Sequence, residues 1–106
     1  MTEFSLARLE QIIEERTRAA AETSYTKSLL DGGVARVAKK FGEEAVETVI
    51  AAFDADRASL IGEAADVIYH LLVLLRARDA SLKDVVDELE RRTAMSGHAE
   101  KASRAK

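Results

Sequence analysis

The chain contains no cysteine, no proline and no tryptophan among its 106 residues, and only five glycines. Without cysteine there is no disulfide framework, no cysteine-ligated zinc site and no thiol nucleophile. Without proline nothing in the sequence breaks a helix outright, and 19 alanines, the strongest helix former, point the same way. An excess of positive charge is also missing. The formal net charge is −3, so no bulk basic field exists to hold nucleic acid or an anionic membrane. Long hydrophobic runs are absent too: stretches such as Leu71–Leu75 fall far short of the ~20 residues that span a bilayer. The N-terminus carries Glu3 and lacks the basic and apolar regions of a signal peptide. What is present is 47% hydrophobic residues, too many for a disordered chain and enough for one modest core. These features predict a small, cytoplasmic, all-α protein.

Hydrophobic periodicity predicts four helices. Leu6, Leu9, Ile12 and Ile13 form a stripe on a first helix from Ser5 to Glu22. The hydroxyl-rich stretch Glu22–Gly33 ends in two glycines and reads as a loop with at most one helical turn. A second helix runs from Val34 to Asp54, with Val34, Val37, Ala38, Phe41, Ala45, Val49 and Phe53 on one face. A third starts at Ser59 as N-cap and continues to Arg78; it is apolar on nearly every side. A fourth starts at Ser81, where Ser81 and Asp84 have the spacing of a capping box, and closes at Gly97. Residues 1–96 are thus expected to form a four-helix bundle-like domain around an antiparallel hairpin, with a flexible basic tail over 97–106. One chain supplies too few helices to cover the third, so completion by oligomerisation, as a homodimer or larger, is expected.

Five acids stand on the central hairpin: Glu43, Glu44 and Glu47 on one helix, Glu63 and Asp66 on the other. Glu44 and Glu47 border the apolar face and can equally be solvated surface charges. Glu63 and Asp66 interrupt an apolar helix, where carboxylates are costly unless paired or bound to metal. Glu47 and Glu44 lie 9 and 12 residues before Asp56, and Glu63 and Asp66 lie 7 and 10 after it. In a hairpin turning near Asp56 the two pairs therefore differ in height by only about 3 Å. Four carboxylates at one level repel one another unless a divalent cation joins them, and hard oxygen donors suit Mg²⁺ or Mn²⁺. Such a cation recruits phosphates, and Lys40, Lys39 and Arg36 supply counter-charge nearby, although ordinary helical ion pairing accounts for Arg36 as well. His70, one turn after Asp66, is either a hydrogen-bonded structural residue or a contact to metal or substrate. Tyr69 points elsewhere, to packing or an interface. Close helix packing and ligand approach explain Gly42 and Gly62 equally well.

The arrangement Glu44-x-x-Glu47 followed by Glu63-x-x-Asp66 resembles that of the all-α nucleoside triphosphate pyrophosphohydrolases. The segments Ser24–Gly33, Val37–Glu47, Glu63–Val73 and Ser96–Arg104 are similar to the phosphoribosyl-ATP pyrophosphatase branch, and the likeness covers nearly the whole chain. Either acidic pair alone is weak. Their order and spacing, with S-Y-T at Ser24–Thr26 and K-K-x-G-E-E-A at Lys39–Ala45, are specific.

The resemblance implies hydrolysis of phosphoribosyl-ATP between the α- and β-phosphates, giving phosphoribosyl-AMP and pyrophosphate in histidine biosynthesis. It implies Mg²⁺, with Mn²⁺ as a possible substitute, on Glu44, Glu47, Glu63 and Asp66, and Glu43 or one of these four orienting the attacking water. Lys39 and Lys40 would hold phosphates, and Ser24, Tyr25, Thr26, Lys27 and His70 are substrate-contact candidates. No Walker A loop is present. A nucleotide-sanitising pyrophosphohydrolase would share the metal site, and a non-catalytic dimerisation module would explain the apolar helices but not the aligned acids. A di-iron protein would want Glu-x-x-His, whereas His70 stands four residues past Asp66.

Overall fold

Short polar side chains set most of the helix starts in this chain. In a computed structural model, which describes residues 3–54, 56–94, 101 and 104, Ser5 caps α1 (Leu6–Arg16) by accepting the Arg8 N–H at 3.1 Å. Ser24 caps α2 (Tyr25–Asp31) by accepting the Lys27 N–H at 3.1 Å. Beyond Gly33, whose φ of +88° only glycine adopts freely, α3 runs over Val34–Asp54. Asp56 caps α4 (Arg57–Ala77), and α5 covers Leu82–Thr93 behind the reciprocal Ser81/Asp84 capping box. The described residues contain no strand, in keeping with the all-α expectation.

Over residues 3–94 five helices stand where four are expected, and the difference lies before Val34. The first helix stops at Arg16 instead of Glu22. The Thr17 hydroxyl donates to the Glu14 carbonyl at 2.6 Å and the Ser24 hydroxyl donates to the Arg16 carbonyl at 3.1 Å, so side chains satisfy the helix-end carbonyls. The predicted loop is instead α2, because Thr26 and Leu29, three residues apart, are both fully buried. At the other boundary Asp56, not Ser59, is the N-cap of α4: its carboxylate accepts the Ser59 N–H at 2.8 Å. The proposed stop at Gly97 and most of the basic tail lie outside the described residues.

The core is small. Ile13, Leu29, Val37, Leu72 and Val73 are buried together, drawn from α1 to α4, and Leu82 of α5 packs against them. Polar ties close its edges: Arg76 of α4 donates to the Glu14 carboxylate of α1 at 2.6 Å, and the Leu82 N–H donates to Glu10 at 2.7 Å. The dominant packing is between the consecutive helices α3 and α4, which form an antiparallel hairpin.

The buried line of α3 is Val37, Glu44 and Ala51. Val34, Val49 and Phe53, expected on the core face, are exposed, Phe53 at 84%. Glu44 therefore sits within the buried stripe and not at its border. By length and composition α4 is the one described helix able to span a bilayer, yet it carries Glu63, Asp66 and His70 along its middle.

Candidate functional site

The hairpin turn is so short that α3 and α4 lie in contact from the turn outward, and acids at equal distance from it meet. One oxygen each from Glu44, Glu63 and Asp66 lies within 4.8 Å of the others. Glu47, exposed beside them, lies near enough to raise the carboxyls of both Glu44 and Glu63. Glu44 is only 9% exposed, Glu63 is half-buried and Asp66 is exposed. The cluster thus opens to solvent on the Asp66 side.

Its electrostatics are those of an anion-rich pocket short of positive charge. Burial raises the Glu44 carboxyl above its ordinary value, and the fields of Glu47 and Asp66 raise it further against the opposing pull of His70. Glu63 is raised by burial first, then by proton sharing with Glu47 and by the charges of Glu47, Asp66 and Glu44. Among the described residues Glu63 Oε2 is buried without a hydrogen-bond partner. A buried oxygen with no donor, beside three more carboxylates, fits a hard divalent cation. Oxygens about 2.1 Å from one magnesium stand roughly 3–4 Å apart, a separation that falls inside the 4.8 Å within which the three carboxylates lie. Lys40 is the nearest base, its Nζ 3.8 Å from Glu44 and 3.9 Å from Glu43. Glu43 is exposed, one position round from the cluster; Lys39 is also exposed and makes no ion pair among the described residues.

A second layer of the site comes from α2. The His70 Nδ1–H donates to the Asp66 carbonyl at 2.7 Å, since a carbonyl can only accept, and Nε2 is hydrogen-bonded to the Tyr25 hydroxyl at 3.0 Å, accepting from it in the neutral ring and donating to it in the cation. Both ring nitrogens are engaged, so His70 is the hydrogen-bonded structural residue of the two readings and here braces the turn that carries Asp66. Tyr69 is a packing residue, as expected, set against the core. Its hydroxyl bonds that of Thr26, and its ring stacks on Tyr25 (centroids 6.3 Å, 22°) and meets His70 edge-on at 5.1 Å. Reading 22–33 as a loop hid these contacts, because a loop supplies no rigid partner for Tyr69. Of the S-Y-T-K residues, Ser24 is buried as the α2 cap and Thr26 is fully buried, whereas Tyr25 remains 49% exposed. Lys27 pairs with Asp31 at 2.6 Å. An added Cβ at Gly42 or Gly62 would meet nothing within 4 Å, so packing within the chain does not explain either glycine.

Comparison with known proteins follows the same residues. A family model described as phosphoribosyl-ATP pyrophosphohydrolase matches residues 6–93, the whole span from α1 to α5. The chain is 55% identical over 104 residues to a phosphoribosyl-ATP pyrophosphatase of Rhizobium etli (strain CIAT 652), covering 98% of this chain and 97% of that relative. It is 55% identical over 106 residues to a protein of that name in Zymomonas mobilis subsp. mobilis, covering 100% and 99%. A phosphoribosyl-ATP pyrophosphatase 1 of Bradyrhizobium diazoefficiens is 56% identical over 104 residues, with 98% of each chain covered. With residues 6–93 matched by the family model and 98–100% of the chain covered at 55–56% identity, this chain belongs to the phosphoribosyl-ATP pyrophosphohydrolase family.

Proposed function

We propose that this protein is a Mg²⁺-dependent phosphoribosyl-ATP pyrophosphatase of the cytoplasm, hydrolysing phosphoribosyl-ATP to phosphoribosyl-AMP and pyrophosphate at an early step of L-histidine biosynthesis. The observation that carries this reading is the convergence of Glu44, Glu63 and Asp66, with Glu47 beside them, in a chain whose relatives bear that name along their whole length.

Glu44, Glu47, Glu63 and Asp66 are the groups that hold the cation, and Mn²⁺ suits the same oxygen donors. The cation, when bound, supplies charge neutralisation for the phosphates and an acidified water. Attack of water oxygen on the α-phosphorus breaks the bond from that phosphorus to the oxygen bridging it to the β-phosphorus. The electron pair leaves with pyrophosphate, and the water proton passes to a carboxylate, one of the four acids or the neighbouring Glu43. Lys40, released from Glu44, and Lys39 stabilise the charge that moves onto the leaving group. Tyr25 and Lys27 contact the substrate from the rim, and Ser24, Thr26 and His70 act by holding α2 and the Asp66 turn in place.

Val46, Val49, Ile50 and Phe53 of α3 and Ile61 and Ile68 of α4 are each 39–84% exposed. This apolar face of the hairpin suits a second copy of the chain, and the protein is expected to be a homodimer or larger. Sedimentation showing an active monomer of 11.6 kDa would remove that part of the reading.

Pyrophosphate release from phosphoribosyl-ATP, measured with Mg²⁺ and after exhaustive chelation, tests the whole. Turnover only with the divalent ion is expected. Comparable release from ordinary nucleoside triphosphates would reassign the protein to nucleotide sanitising, and release from neither would leave a non-catalytic helical module.

A further inference from the structure

Arg36, Lys40 and Glu44 recur every four residues along α3 and so share one stripe. Arg36 lies about 12 Å from Glu44 along the axis at ~1.5 Å per residue, too far to serve a phosphate held at the carboxylates. It is exposed, and among the described residues it has no carboxylate partner; its Nη1 makes one long hydrogen bond, 3.5 Å, to the Ser28 carbonyl.

Its placement is nevertheless defined. The aliphatic part of Arg36 lies against Gly32, where an added Cβ would stand 2.4 Å from Arg36 Cδ, 3.2 Å from Cβ and 3.3 Å from Cγ. Gly32 has φ −77°, open to any L-residue. Conformational freedom therefore does not require glycine at this position; an added Cβ would instead press on the Arg36 side chain and shift it from this seat. Tyr25 links the two ends of the stripe. Burial raises its phenol, Lys40 and Arg36 pull it down, and Glu44 raises it, so the half-exposed ring lies within the fields of all three.

We propose that Arg36, seated across Gly32, binds the phosphate monoester of the phosphoribosyl group, while Lys40 and the carboxylates serve the triphosphate end. This rests on phosphoribosyl-ATP being the substrate. That molecule carries phosphate at two ends, separated by the purine and two riboses, and the α3 stripe offers two cationic positions at different distances from the acidic cluster. A guanidinium matches a dianionic monoester with two parallel hydrogen bonds, which an ammonium does not. Ordinary nucleoside triphosphates lack the second phosphate, so Arg36 is a specificity-determining residue and Gly32 its positioning residue.

Steady-state kinetics of Arg36→Ala, Arg36→Lys and Gly32→Ala test this, with inhibition by ribose 5-phosphate and by pyrophosphate as separate probes of the two ends. Arg36→Ala should raise KM for phosphoribosyl-ATP about 10- to 100-fold with kcat nearly retained, the loss of a charge-assisted hydrogen-bonded pair. Arg36→Lys should recover part of it, and Gly32→Ala should raise KM by displacing an intact arginine. Inhibition by ribose 5-phosphate should weaken in Arg36→Ala while inhibition by pyrophosphate stays as in wild type. Unchanged KM in Arg36→Ala and Gly32→Ala would overturn the assignment, as would equal weakening of both inhibitors, which would put Arg36 at the triphosphate end. A wild-type protein without turnover of phosphoribosyl-ATP would overturn the proposed function itself, an outcome visible before any variant is made.

Discussion

Replacing Thr26 with valine should loosen α2 from α4 without altering a single group of the acidic cluster. Thr26 is fully buried and its hydroxyl bonds that of Tyr69. Valine keeps the shape of threonine but leaves the Tyr69 phenol without that partner. An orphaned hydroxyl costs about 1–3 kcal/mol, which in a domain of roughly 100 residues lowers Tm by about 4–8 °C for each kcal/mol. Tyr69→Phe should cost a similar amount, because it orphans Thr26 and keeps the ring stacked on Tyr25. The double variant removes both hydroxyls and leaves two apolar groups in contact, so it should be destabilised far less than the sum of the singles. The assay is urea unfolding followed by far-ultraviolet circular dichroism, at fixed protein concentration and without divalent ions. A coupling of about 1–2 kcal/mol between the two sites is expected. Losses that add within about 0.5 kcal/mol would show that the two hydroxyls do not act as a pair, and the account of how α2 is docked would fail.

The acidic cluster has its own consequences. Burial and mutual repulsion raise Glu44 and Glu63 above the ordinary 4.5, so the folded chain binds their protons more tightly than the unfolded chain does. Without divalent ions stability should therefore fall as pH rises just above 4.5, and the slope should flatten when Mg²⁺ is added, as thermal melts across a pH series would show; a cation-free protein that gains stability over that window would contradict it. Glu47→Gln and Asp66→Asn should abolish pyrophosphate release while circular dichroism and cation-free Tm are retained or improved, since each removes a like charge. Asp79 adopts φ 57°, past the end of α4, and its Arg76 contact is long at 3.8 Å. Asp79→Gly should raise stability by about 0.5 kcal/mol, the ~1–2 kcal/mol left-handed penalty less the entropy cost of glycine; a lower urea midpoint would refute this.

The sequence by itself determined the helical class, the bounds of α3, the capping box of α5 and the level at which Glu44, Glu63 and Asp66 meet. These follow from local rules: 3.6-residue periodicity, cap chemistry within one turn, and a turn so short that equal counts on either side must face each other. Family membership was legible in part for the same reason, because both acidic motifs lie on those two helices, and in part from S-Y-T at Ser24–Thr26. Only the tertiary structure decided what happened where local signals conflict or are short. Thr26 and Leu29 are two buried residues in a polar stretch, too few for a periodicity to be read, and it is their burial against α1, α3 and α4 that makes residues 25–31 a helix. The rotation of α3 that buries Glu44 and exposes Phe53 was likewise not readable, since α3 is apolar over a wide arc and only the position of α4 selects which part of that arc is covered. Tyr69 and His70 were assigned their partners by α2, and Arg36 its seat by Gly32, four residues before it on the chain but across a glycine turn. Such contacts join residues whose spacing carries no periodic signal, so a reading of one helix at a time cannot reach them.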